Sequence, residues 1–268
     1  MKFQTLILIR PILATAIAVA CFGARAQAFD AVRLYGPPDG RGEGTVGAAV
    51  IGARQYMGSG ERRTVLLPVL DYRWSNGWFA GTTNGVGYQF TSAPNLQYGL
   101  RLTADFGRSQ SRSAALTGLG DISARAEIGA FFNLYLSREI FLTSSLRYGS
   151  GNDRKGALLD LGAGYALQLA PQWRAAAGVA ATVANASYMQ GYFGVTPAQA
   201  LASNYAAYTA GAGLRDVRTN LSLNYFVTPQ WTVTGAVSLS ALQGDAKNSP
   251  VVRQRSSATG VAALSYRF

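Results

Sequence analysis

A strict two-residue alternation of apolar and polar side chains, held for about ten residues at a time, constrains this chain more than any other feature. From Tyr98 one face carries Tyr98, Leu100, Leu102, Ala104 and Phe106, while Gln97, Gly99, Arg101, Thr103 and Asp105 fall on the other. Ala126, Ile128, Ala130, Phe132, Leu134 and Leu136 oppose Arg125, Glu127, Gly129 and Asn133. Leu159, Leu161, Ala163, Tyr165, Leu167 and Leu169 oppose Asp160, Gly162, Gly164 and Gln168. Leu221, Leu223, Tyr225 and Val227 oppose Arg218, Asn220, Ser222 and Asn224. The sequence given stops at VAALSYRF, where Leu264, Tyr266 and Phe268 alternate with Ser265 and Arg267. A period of two is a strand, and about ten residues is what a tilted strand needs to cross a bilayer.

A β-sandwich with one wet face would alternate in the same way. Two features argue for a transmembrane barrel instead. Aromatic residues sit at the ends of the apolar faces: Tyr72 and Trp74, Trp173, Trp231, Tyr266 and Phe268. That is where interfacial girdles belong. The connections also alternate between tight and long. Asn76-Gly77, Ser137-Arg138-Glu139, Ala170-Pro171 and Thr228-Pro229 mark tight turns. Segments 52–62, 106–121, 149–156, 184–212 and 242–257 read as long polar loops. Short periplasmic turns and long outer loops are the barrel pattern.

Parity sets the strand count. With 77–90 as one strand there are eleven, and the tight turn at 137–139 falls on the side of the long loops. Splitting 77–90 at Thr83-Asn84 gives twelve strands and restores the order. These are 44–52, 63–74, 77–82, 85–91, 96–106, 122–136, 139–149, 156–169, 172–183, 213–227, 230–241 and 257–268. Ten is the alternative, if 77–90 does not cross. The expected fold is thus an all-β, closed antiparallel barrel over 44–268, with both ends of the barrel strand order on the periplasmic side.

The N-terminus reads as an export signal. Lys2 and Arg10 flank an apolar start, PILATAIAVACFGA follows without charge, and Ala24-Arg25-Ala26 and Ala26-Gln27-Ala28 offer cleavage sites. Residues 1–28 are expected to be cut away near 26–28. AVAC resembles a lipobox, which would put a lipid on Cys21 instead. Residues 29–43 would then be a periplasmic segment rich in Pro and Gly. No other stretch has the ~20 uninterrupted apolar residues of a spanning helix.

Three stretches resemble the MipA/OmpV family of outer-membrane proteins: LLPVLDYRWSNGWFAG (66–81), YFGVTPAQALAS (192–203), and LQGDAKNSPVVRQRSS (242–257) followed by LSYRF. Within the third, Gly244-Asp245 and Ser249-Pro250-Val251-Val252 are the most specific. The resemblance implies an outer-membrane barrel. The family includes the MltA-interacting protein, regarded as a scaffold between a lytic transglycosylase and a bifunctional penicillin-binding protein. Other members are described in adhesion, osmotic response or antibiotic sensitivity. The ending also resembles the C-terminal assembly signal of outer-membrane proteins, with Leu264, Tyr266 and Phe268 as its apolar positions. That resemblance implies the barrel assembly machinery as a partner.

The chemistry is sparse. There is no His, and Cys21 is the only Cys. Catalysis through a His base is closed, and a metal site would need carboxylates alone, which are scattered. No cofactor is expected. Asp105 and Glu127 could pair as carboxylates, but Arg101 and Arg125 share their faces, so charge pairing is the simpler role. Arg101, Asp105, Arg125, Glu127, Arg147, Asp160 and Arg218 are expected to form a charge network in the lumen. Asp71, Arg73, Arg174, Asp216 and Arg267 also alternate inward. This fits a filled, salt-bridged lumen or a narrow, mildly anion-favouring pore. Arg62, Arg63, Arg108, Arg112, Arg253 and Arg255 fall in long loops, where guanidinium groups could grip lipopolysaccharide phosphates. Nucleic acid is not an expected partner, because the basic residues are dispersed rather than gathered on one patch.

The expected function is therefore non-enzymatic: a barrel that scaffolds or organises the envelope near murein synthesis. A small-solute channel and a loop-mediated adhesin are the alternatives.

Overall fold

The structure, a computed structural model, describes residues 42–90, 93 and 95–268. The signal-peptide reading of 1–28, Cys21, and almost all of segment 29–43 lie outside the described residues. Twelve antiparallel strands form one closed barrel. In chain order they are β1 (Glu43–Arg54), β2 (Arg62–Arg73), β3 (Trp78–Gly81), β4 (Gly85–Gln89), β5 (Leu96–Asp105) and β6 (Arg125–Tyr135). They continue as β7 (Ile140–Ser150), β8 (Gly156–Ala170), β9 (Trp173–Ala184), β10 (Gly213–Phe226), β11 (Trp231–Leu242) and β12 (Ser256–Arg267). Each strand pairs with its chain neighbours, and β1 pairs with β12 to close the ring.

The 77–90 region is two strands, as parity requires, with a turn at 82–84. Gly85 leaves that turn at φ +75° and lies against the Leu102 carbonyl, so no Cβ fits there. The hairpin is short. It pairs with β2 only at 71–73 and with β5 only at 99–102.

Alternation sorts the side chains as the sequence requires. Leu66, Leu100, Leu102, Ile128, Leu161, Leu221 and Leu239 point outward and are all at least half exposed. A continuous apolar belt of this kind is a lipid-facing surface rather than a wet one. Closure gives every strand two neighbours, so backbone groups pair where hydrocarbon offers no partner, except along the parts of β2 and β5 that the short β3–β4 hairpin does not reach. Aromatic pairs cluster at the end with the tight turns: Tyr72 with Trp74, Tyr88 with Phe90, Trp173 with Tyr225, and Trp231 with Tyr266.

The opposite end differs from the expected polar loops. Three α-helices form there among the described residues, α1 (Ala186–Phe193), α2 (Pro197–Ala202) and α3 (Gly244–Asn248), beside two single 3-10 turns at Gln110–Arg112 and Ala114–Leu116. The Asn185 side chain accepts from the Tyr188 amide to cap α1. Thr196 and Gln199 form a capping box around α2, with Pro197 in its first turn. Leu158, Tyr188, Met189, Phe193, Leu242 and Ala246 bury one hydrophobic cluster, and Tyr56, Leu116, Leu119, Val195 and Val251 bury a second. The loops are long enough to hold a core of their own, so they fold into a cap instead of remaining solvated. Two of the three stretches that carry the family resemblance, 192–203 and 242–257, contribute to this cap.

Candidate functional site in the barrel lumen

The inward charges meet in a ladder that crosses six strands. At one end Thr103 of β5 donates to Glu127 of β6 at 3.2 Å. Arg147 of β7 bridges Glu127 at 3.3 Å and Asp160 of β8 at 3.0 Å. Asp160 also accepts from Thr182 of β9 at 2.6 Å and from Arg218 of β10 at 2.8 Å. Arg218 reaches Asp216 at 3.3 Å. Each ion is buried, with partners on at least two sides. Removing one would strand the charges of its neighbours at a large cost.

Arg215 extends the ladder into the cap. Strict alternation would place it on the lipid face beside Val217. A bulge between Leu214 and Asp216 breaks the register and turns Arg215 inward. It is 1% exposed, ion-pairs Asp216, and donates to the Tyr188 hydroxyl at 3.1 Å. Its guanidinium lies 5.4 Å from the centre of the Tyr188 ring, which stacks on Tyr192. Only the adjacency of Arg215 and Asp216 hinted at this in the sequence, because a bulge leaves no mark in a period-2 count.

Three residues depart from the expected roles. Among the described residues Asp105 joins no arginine. It binds the cap, accepting from the Tyr192 hydroxyl at 2.5 Å, the Gly107 amide at 3.0 Å and the Gly151 amide at 3.1 Å. The end of β5 lies under α1, so a loop hydroxyl reaches the carboxylate. Arg125, at the loop end of β6, makes no ion pair among the described residues. Arg108 is not on the outer surface. It is 4% exposed and donates to the Tyr192 carbonyl at 2.8 Å. Burial lowers its pKa from the ordinary arginine value. The same burial raises that of the Tyr192 hydroxyl, reinforced by Tyr188 and Asp105.

Arg101, by contrast, faces the lumen and donates to Ser145 at 2.7 Å. Of the other arginines expected in loops, Arg62 and Arg63 instead open β2, paired with Arg54 and Ala53 of β1, because the β1–β2 hairpin extends further than its polar sequence suggested. Arg62, Arg253 and Arg255 are exposed, and Arg63 and Arg112 are half-buried. Arg253 lies over the Tyr205 ring, and its amide donates to the Gly58 carbonyl at 2.7 Å, which ties its loop to the β1–β2 hairpin. Leu264, Tyr266 and Phe268 lie on the seam between β12 and β1, with Leu264 opposite Ala48 and Tyr266 opposite Val46.

The lumen is divided. Around Arg101, Asp160 and Arg218 the charged half leaves a void of only about 40 Å³. The other half holds a cavity of about 820 Å³, bordered by Ile51, Val69, Phe141, Arg174, Asn220 and Ser222. Near the tight-turn end, Glu43 pairs with Arg73 at 3.1 Å and with the exposed Arg267 at 3.6 Å. Among the described residues no group of three or more Asp, Glu, Cys or His is placed to hold a metal ion.

Comparison with known proteins follows the same lines. A family model described as MltA-interacting protein MipA matches residues 46–268. No curated protein sequence matches the chain. Among solved structures, the NanC porin is similar at 13% identity and a TM-score of 0.47, over 82% of this chain and 98% of that one. The KdgM porin is similar at 10% identity and 0.44, over 84% and 99%. The COG4313 outer membrane channel from Pseudomonas putida F1 gives 12% and 0.45, over 89% and 98%. At such identities the likeness is one of fold alone.

Proposed function

The chain belongs to the MltA-interacting protein MipA family, and from that membership we propose that this outer-membrane barrel organises the cell envelope beside enzymes that cut and build murein. The observation that carries the reading is the packed cap. A general sieve needs a wide mouth, whereas here helices and two apolar clusters pack at the loop end and narrow it. The charged ladder stiffens the wall beneath. Such a body is a frame better than it is a filter.

In this reading the tight-turn end faces the periplasm. Residues 1–28 act as the secretory signal. Residues 29–43 form a periplasmic segment that leads into β1 at that end, and they offer the contact for a lytic transglycosylase or a penicillin-binding protein. Exposed Arg62, Arg253 and Arg255 take lipopolysaccharide phosphates on the other side. The chain performs no catalysis of its own.

The test is affinity capture of the native, solubilised barrel from envelope membranes. A murein lytic transglycosylase should co-purify, and removal of 29–41 after the signal should abolish its recovery while the barrel still assembles. Equal recovery without that segment would reject the contact. A second reading, a small-solute channel, is favoured by the cavity of about 820 Å³. Steady single-channel conductance of the purified barrel in a planar bilayer would support it over the frame.

A further inference from the structure

β2 and β5 are not joined along their full length. The β3–β4 hairpin between them stops low in the wall, so residues 62–69 of β2 and 103–105 of β5 have no strand between them among the described residues. The gap is framed on all sides. Thr82 is its sill: its amide donates to the Leu70 carbonyl at 2.8 Å, and its hydroxyl accepts from the Leu70 amide at 3.1 Å. The β5–β6 loop is its lintel. There the Ser113 hydroxyl donates to Glu61 at 2.9 Å, and Leu116 and Leu119 pack with Tyr56.

The Leu70 backbone points toward this gap, so by the two-residue period those of Pro68 and Leu66 do too. Pro68 has no N–H to offer a neighbouring strand and is of the type confined to free edges. The cavity of about 820 Å³ reaches the same place. It borders inward-facing Val69 and Thr103, and also outward-facing Pro68 and Leu102. Across the barrel, four strands from β2 by way of β1, β12 and β11, Asn220 borders this cavity. It is 5% exposed, and among the described residues neither its amide nitrogen nor its oxygen has a hydrogen-bond partner. A buried amide facing a cavity of that size is open to water or to the polar group of a ligand, either of which would satisfy both atoms.

We propose that the gap is a lateral window, through which a small, uncharged, amphipathic molecule passes between the lumen and the lipid phase, with Asn220 as its polar contact. A charged solute would not leave sideways into hydrocarbon. A purely apolar one would leave Asn220 unused. An added β-strand from another protein fits less well, because Pro68 removes a donor from the edge and the frame bounds its length. This route does not depend on the murein reading, and its test involves no murein enzyme.

The test uses Gram-negative cells with an intact lipopolysaccharide layer that produce the full chain. The probe is N-phenyl-1-naphthylamine, an uncharged amine that fluoresces in lipid. Pro68→Cys together with Ala104→Cys, bridged by a reducible bis-thiol reagent, closes the window in an already folded barrel. Uptake should exceed that of cells lacking the protein, fall to their level on bridging, and recover on reduction. Asn220→Leu should slow uptake roughly 2–10-fold, the worth of one hydrogen bond. A bridged barrel with normal heat-modifiable mobility that takes up the dye at the unbridged rate would overturn the window. So would capture of another polypeptide by either cysteine in place of the bridge. Unchanged uptake by Asn220→Leu would overturn the role of Asn220.

Discussion

Phe268 and Gly44 exchange both of their backbone hydrogen bonds, Gly44 amide to Phe268 carbonyl at 2.9 Å and Phe268 amide to Gly44 carbonyl at 3.0 Å. The Phe268 ring lies over the bare Cα of Gly44, where a Cβ would collide with it. It also sits 6.4 Å from the Tyr72 ring. The last rung of the seam between β12 and β1 is therefore held by an aromatic on a glycine at the membrane edge.

Loss of Phe268 opens that rung and removes the terminal aromatic of the proposed assembly signal. Deleting it should sharply lower outer-membrane yield, with secretion unchanged. Gly44→Val should do the same more mildly, by displacing the ring. Heat-modifiable mobility in membrane fractions measures both. A truncated chain that assembles at the normal level would mean the ring has no part in closure.

Asp160 accepts from Arg147, Arg218 and Thr182. Asp160→Leu should destabilise the barrel by about 3–5 kcal/mol, because it leaves buried guanidinium groups short of their counter-charge. Asp160→Leu combined with Arg218→Met should recover part of that loss. Unfolding by urea in liposomes gives both values, and an additive double variant would argue that the ion pair contributes no coupling.

Much of this architecture was legible in the sequence, and the reason is physical. A spanning strand must be apolar on one face and about ten residues long, so β5 through β12 announce themselves. Parity then exposed the split of β3 from β4, although neither is long enough to reveal itself. The inward direction of Arg147, Asp160 and Arg218 follows from the same period. What could not be read was register-dependent or three-dimensional. The bulge that turns Arg215 inward breaks the very period used to assign faces. Asp105 and Tyr192 are far apart in sequence and meet only because α1 folds back over β5. Arg108 looked like a surface residue because a segment rich in Ser and Gly gives no hint that its backbone will bridge Ile122 and its side chain will tuck against Tyr192 of the cap.

Leu161 and Gly162 test the two faces at adjacent positions. Leu161 is 50% exposed on the outer wall. Leu161→Arg should cost roughly 2–4 kcal/mol, as for a cation near the bilayer midplane. Gly162 faces the lumen, where a Cβ would lie 2.6 Å from the Thr143 hydroxyl. Gly162→Ala should therefore be tolerated only as far as Thr143 can rotate, and Thr143→Ala should relieve it. Equal effects of Leu161→Arg and Gly162→Ala would contradict the facing.

Tyr192→Phe should loosen the cap and leave the barrel intact. It removes the hydroxyl that donates to Asp105, a hydrogen bond to a charged group worth about 1.5–3 kcal/mol. Protease nicking within 185–212 should rise several-fold while the heat-modifiable shift is retained. Loss of the folded band would show instead that the cap is needed to build the wall.

Sidedness is tested by thiol labelling of intact cells with an impermeant reagent. The choice of positions has to follow burial as well as loop membership. Ser249 lies in a long loop, yet it is 4% exposed and donates to the Phe193 carbonyl at 2.6 Å. A cysteine there should label poorly whichever way the barrel faces. Lys247 is exposed on α3, in the same loop, and Asn76 is exposed in the tight β2–β3 turn. Lys247→Cys should label on whole cells, and Asn76→Cys should label only after the envelope is opened. Label at Asn76→Cys with none at Lys247→Cys would invert the orientation and would move the proposed lipopolysaccharide arginines, Arg62, Arg253 and Arg255, to the periplasmic face.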